Sequence, residues 1–162
     1  MFAPNAQRTN HLHTMRVVLD TNVLISALLF DGNPEKVVLS TLNGLEELIL
    51  SPYIVAETTH ILENKFGVNL SSLELLQQLL GEAELVYFQP FLHTIEDEPD
   101  NRVLETAVKG KASYLVTGDK LLLNLKQYKD IKIISFNKFI KVYSGRPKLH
   151  NHIRPLFQYN LG

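Results

Sequence analysis

Two aspartates close apolar runs far apart in the chain: Asp20 in Val17-Val18-Leu19-Asp20-Thr21-Asn22, and Asp119 in Tyr114-Leu115-Val116-Thr117-Gly118-Asp119. If both runs are strands of one parallel α/β sheet, their ends gather at one edge and the two carboxylates can share a pocket. Glu57 and Asp100 occupy positions that could face the same edge. Carboxylates about 4 Å apart repel by roughly 4 kcal/mol at an effective dielectric of about 20, so clustering them costs stability unless a cation fills the site. Oxygen-only ligands in a chain without cysteine favour Mg²⁺ or Mn²⁺ over zinc. Such ions activate a water and shield a phosphodiester as its charge develops, the division of labour of metal nucleases.

Each acid also has a plain structural role open to it. Asp20 and Asp119 stand where N-caps of the following helices would stand. Asp97 and Asp100 could favour the positive end of the next helix, and Glu57 could be an exposed helix residue. The argument for chemistry lies in their occurring together with Asn22 and Thr117, behind two apolar strands.

The elements that must position these residues alternate between strand-like apolar runs and amphipathic helical stretches, which predicts βαβ units and a parallel sheet. Five strands are expected, at 16–19, 47–50, 85–88, 113–116 and 131–134. Helices are expected at 21–29; from Asn33-Pro34 to about 43; and from Ser51-Pro52, with an apolar stripe of Ile54, Val55, Thr58, Ile61, Leu62 and Phe66. Ser71-Ser72-Leu73-Glu74 has the pattern of a capping box opening a helix to about 80. Further helices are expected at 101–109, 120–125 and from Ser135 to a stop at Gly145.

At 162 residues, with 45% hydrophobic and 20% charged residues, the composition is that of one soluble globular domain. No apolar stretch approaches the roughly 20 residues that span a bilayer, so no membrane span is expected. The absence of cysteine excludes disulfides, thiolate catalysis and Cys-ligated zinc, and fits a cytoplasmic location. The net charge of −1 hides an asymmetry: residues 1–108 carry 5 Lys/Arg against 15 Asp/Glu, and residues 109–162 carry 11 against 2. The C-terminal third could therefore present a basic face to a polyanion or an acidic partner, or simply carry solvated charges. Residues 1–14 are polar and aperiodic and read as a disordered tail. Residues 15–145 read as the domain, and 146–162 as a basic extension in which Arg146, Lys148 and Arg154 are candidate RNA contacts.

Four segments together carry a family pattern: Val18-Leu19-Asp20-Thr21-Asn22-Val23-Leu24-Ile25-Ser26-Ala27, Leu50-Ser51-Pro52-Tyr53-Ile54-Val55-Ala56-Glu57, Asp97-Glu98-Pro99-Asp100-Asn101 with Leu104 and Ala107, and Leu115-Val116-Thr117-Gly118-Asp119. From about Met15 to Val142 the chain resembles a PIN domain of the kind found in prokaryotic toxin–antitoxin (VapC-like) nucleases. The resemblance implies a three-layer α/β/α sandwich with a central, mainly parallel five-stranded sheet, and a Mg²⁺ or Mn²⁺ site that cleaves RNA. Asp20, Glu57, Asp100 and Asp119 match the family's acidic quartet; Asp97 matches a further acidic position, and Asn22 and Thr117 match polar residues that orient ligands. It further implies an antitoxin protein as partner and a homodimer or higher oligomer.

Other readings fare worse. A haloacid-dehalogenase-like phosphatase needs a second aspartate two residues after the first, where Asn22 stands. A dinucleotide site needs glycines in the first βα turn, and Thr21-Asn22-Val23-Leu24 has none. Glu57 and His60 form a Glu-x-x-His pair, but there is no second pair to complete a di-metal bundle site. The rival outside enzymology is a catalytically silent PIN-like module that binds RNA or protein.

Overall fold

Val17, Val18 and Leu19 are all 0% exposed. Successive side chains of a strand point to opposite faces, so burial of consecutive residues requires that both faces of the sheet be covered. Leu115 and Val116 are buried in the same way, which makes these two apolar runs central strands.

The computed structural model describes residues 15–32, 35–36, 38–39, 44 and 46–144. Within them the strands are β1 (Met15–Leu19), β2 (Glu46–Leu50), β3 (Glu84–Leu85), β4 (Tyr114–Val116), β5 (Gln127–Tyr128) and β6 (Ile131–Ile134). They form one sheet in the order β3-β2-β1-β4-β6-β5, parallel except for β5. Four strands match those expected to within a residue at either end, β3 shares only Leu85 with the expected 85–88, and the antiparallel β5 is an addition. Helices flank the sheet: α1 (Thr21–Leu29), α2 (Pro52–Phe66), α3 (Glu74–Glu82), α4 (Glu98–Lys109), α5 (Lys120–Leu125) and α6 (Phe136–Ser144). Residues 35–36 and 38–39 are helical, but the rest of the helix expected from Asn33-Pro34 lies outside the described residues. So do both tails, Gly145, and with them Arg146, Lys148 and Arg154.

From β1 the chain steps outward to β2 and β3, then crosses to the other side of β1 to form β4. The strand order reverses between β1 and β4, and in open α/β sheets a crevice forms there, beyond the carboxyl ends of the strands. Leu19 pairs with Val116. Asp20 and Thr117 therefore leave the sheet side by side, Asp20 donating its N–H to the Val116 carbonyl at 3.0 Å.

Ser51 caps α2 by accepting from the Ile54 N–H, Pro52 supplies a helical φ at the first turn, and Gly67 ends the helix in the left-handed region at φ 62°. The Leu62 side chain that α2 buries meets Ile25 of α1 and Leu76 of α3 in a small apolar cluster. The capping box at Ser71 does not form. Asn69 instead caps a 3₁₀ turn at Leu70–Ser72, and α3 starts at Glu74.

α4 begins at Glu98, three residues earlier than expected, because Asp97 accepts from the Asp100 N–H at 3.2 Å and Pro99 sits in the first turn. It packs on β1, β2 and β4. Where it ends, Gly110 lies so close to β2 that an added Cβ would overlap the Ile49 side chain and meet the Thr106 carbonyl at 3.1 Å. Gly110→Ala is expected to destabilise the protein by about 1–3 kcal/mol, as overpacking of an intact core does. A urea titration that shows no loss would remove this account of the close approach.

Candidate active site

Thr117 ties the two strand ends together. Its hydroxyl donates to Asp20 Oδ2 at 2.5 Å and accepts from the Asp119 N–H at 3.0 Å. It is wholly buried, so neither bond is shared with bulk water. Asp20 occupies the N-cap position of α1 but makes no side-chain cap. Its carboxylate accepts instead from the Thr117 hydroxyl. Asp119 does cap, accepting through Oδ1 from the N–H groups of Leu121 and Leu122 at 2.8 and 3.2 Å. The structural role open to both residues in the sequence thus applies through the side chain to Asp119 alone, where it occupies one of two oxygens.

Glu57 rides on α2, one element away from the strand ends, so its direction decides whether the four acids meet. It accepts from the Thr21 hydroxyl at 3.0 Å, and Thr21 directly follows Asp20. Asp100 enters from the first turn of α4 and is 8% exposed. Asp20, Glu57, Asp100 and Asp119 line one cleft of about 180 Å³ at the β1/β4 crossover, together with Thr21, Asn22, Asp97, Pro99 and Val103. All the described residues named as site candidates thus stand at this cleft, Thr117 supporting its floor. Thr21 was not among those candidates, although its place next to Asp20 was the available signal.

The cleft is electrostatically uncomfortable without a counter-charge. Burial raises the Asp20 carboxyl above its ordinary range, the Glu57 and Asp119 charges add to this, and the Thr117 hydrogen bond and the nearby Asn22 N–H dipole oppose it. Asp100 is pushed up to about 7, first by burial, then by the Asp119 charge and a carboxyl hydrogen bond to Asp119, and also by Asp97 and Asp20. Its Oδ2 is buried with no hydrogen-bond partner. An orphaned carboxylate oxygen in an all-oxygen cluster fits a hard divalent cation. Among the described residues no three acids converge tightly enough to surround one ion as they stand. Burial and the neighbouring charges favour the protonated form of Asp100, and a cation binding there competes with that proton.

This gives a pH prediction. A carboxyl whose folded pKa is raised stabilises the fold fully below its ordinary value of 3.8 and loses that contribution as pH rises through about 7. In the absence of divalent ions, the melting temperature of the wild type relative to Asp100→Asn should fall steadily across this window. Parallel curves for the two proteins would show that Asp100 does not titrate there.

The acids thus line a crevice at the strand-order reversal of a mostly parallel sheet. The chain belongs to the PIN-domain family: the PIN domain matches residues 16–121. That span runs from β1 to the start of α5 and contains every acid of the cleft. PIN domains are generally nucleases, and nucleic acid is the class of substrate that the family suggests. The chain is also similar to the uncharacterized protein MJ1680 of Methanocaldococcus jannaschii, at 28% identity over 142 residues covering 79% of this chain and 81% of that one. No helix among the described residues is long and apolar enough to cross a membrane.

Proposed function

We propose that this protein is an endoribonuclease dependent on Mg²⁺ or Mn²⁺, with Asp20, Glu57, Asp100 and Asp119 as the metal-holding and catalytic acids. The observation that carries the reading is the Thr117 hydroxyl bridging Asp20 and Asp119 at the floor of a cleft that Glu57 and Asp100 also line. A bound ion supplies the charge that lowers the pKa of a water and shields the phosphodiester. The protein's own groups do the rest. Thr117 holds Asp20 in one orientation, and Thr21 does the same for Glu57. Asp97 fixes the first turn of α4, and so the place of Asp100, by capping it.

The finer biological reading is that of the toxin component of a toxin–antitoxin pair, cytoplasmic, homodimeric, and held in check by an antitoxin protein. It rests on the likeness of the four motifs to that branch of the family. Arg146, Lys148 and Arg154, together with the lysines of the C-terminal third, would meet RNA phosphates. Incubating purified protein with labelled single-stranded RNA, with Mn²⁺ or with a chelator, tests the enzymatic core. Cleavage that appears only with the ion supports the proposal; equal background in both samples would leave a binding module.

A further inference from the structure

Among the aromatic side chains outside the buried core of the described residues, Tyr53, Tyr87, Phe88 and Phe91 come together near the first turn of α2. Three of them form a row. The Tyr53 and Phe88 rings stand 5.4 Å apart at 32°, Phe88 and Phe91 6.0 Å apart at 84°, and the Lys109 ammonium lies 5.4 Å from the Phe91 centroid. Tyr53 and Phe91 remain 36% and 40% exposed, and Tyr87, beside Phe88 in the chain, is 72% exposed. Exposed apolar residues that cluster, rather than scatter singly, are where a ligand docks. The rings are not needed to hold their loop in place. Its backbone is fastened to α4 by Glu105, which accepts from the N–H groups of Phe91 and Leu92, and by Asn101, which exchanges two hydrogen bonds with Ile95.

The row has a direction. Tyr53 stands four residues before Glu57 on α2, and residues so spaced share a helix face about 5–6 Å apart. One end of the row thus lies a single helical turn from the carboxylate cleft, and the other end carries a cation. We infer that Tyr53, Phe88 and Phe91 form a stacking subsite for the bases of single-stranded RNA, with Lys109 positioned to meet a phosphate of the same strand. This rests on the nuclease reading for its choice of ligand. Ring faces accept any base, and a lysine at the end of the row matches a polyanion better than it matches an apolar protein surface.

The test measures binding in chelator, so that no cleavage is required. Two fluorescent oligoribonucleotides of equal length are compared, an eight-residue oligouridylate and its abasic counterpart. The wild type should bind the first more tightly. Tyr53→Leu and Phe91→Leu, which keep apolar bulk, should each weaken oligouridylate binding on the order of 10-fold and leave abasic binding unchanged. Equal affinity for the two oligomers in the wild type, or no effect of either variant, overturns the subsite. So does a shift in sedimentation of the variants with unchanged RNA affinity, which would assign the rings to a protein contact. The two proposals fail separately. Base-dependent binding without metal-dependent cleavage would sink the nuclease and keep the subsite, whereas cleavage with base-independent binding would do the reverse.

Discussion

Replacing Asp20 by Asn is expected to lower metal-dependent RNA cleavage by at least about 100-fold while leaving the protein folded. The estimate follows from the cost of weaker changes: removing a group that merely orients a metal ligand typically costs about 10- to 100-fold, and Asp20 is proposed as a ligand itself. Folding should survive, because an amide oxygen can still accept from the Thr117 hydroxyl. Without divalent ions the variant should even melt higher than the wild type near neutral pH, since it removes one buried charge from the neighbourhood of Glu57, Asp100 and Asp119. The wild type should gain thermal stability on adding Mn²⁺, by mass action on the folded state, and the variant should gain much less. A graded companion is Thr117→Val, which keeps the carboxylates and removes only the bridge; its loss should fall at about 10- to 100-fold. An Asp20→Asn protein that cleaves at the wild-type rate, or that gains as much stability from Mn²⁺, would remove Asp20 from the site.

Much of this arrangement could be read from the chain because it lies where local rules and tertiary packing agree. Apolar runs made β1 and β4 visible, and being central strands they had no reason to alternate in polarity. The acid at the end of each run was then placed by topology alone. Glu57 was harder, since helix periodicity gives its face but not the rotation of α2 against the sheet. That rotation is set by packing across the sequence: Leu62 against Ile25 and Leu76, and the Ser51 hydroxyl 2.7 Å from that of Thr106. No local pattern announces a contact between residues 51 and 106.

The errors have equally physical causes. β5 is two residues long, and its turn into β6 passes through Lys129 at φ 52°, where glycine or asparagine would have been the recognisable signal. The predicted box at Ser71 lost to Asn69, whose side chain accepts from the Ser71 backbone and hydroxyl at 3.2 and 2.7 Å. The helix expected from residue 101 takes in part of the acidic cluster before it, with Glu98 and Asp100 inside the helix and Asp97 as its cap. A run of acids with a proline is a helix start as much as a site, and here it serves as both.

Glu105 was invisible in the sequence, and its loss should cost as much stability as truncating a fully buried apolar residue of α4. Its side chain is 0% exposed and lies 2.6 Å from Arg102, which in turn donates to the Leu92 carbonyl. The same carboxylate receives the N–H groups of Phe91 and Leu92, so one buried charge fastens to α4 the loop that leads into Asp97. Glu105→Ala strips Arg102 of its buried partner and leaves two backbone donors without acceptors. Removing one member of a buried pair typically costs about 3–5 kcal/mol, and that loss should appear as a lower urea midpoint. Glu105→Gln, which keeps an acceptor oxygen but not the charge, should lose less. Replacing both partners with apolar residues, as in Arg102→Met with Glu105→Leu, should recover part of the loss, because no unpaired charge is then buried. If Glu105→Ala moves the midpoint by less than Gly110→Ala does, the pair is an incidental contact, and the position of Asp97 and Asp100 must be maintained from the sheet side of α4 instead.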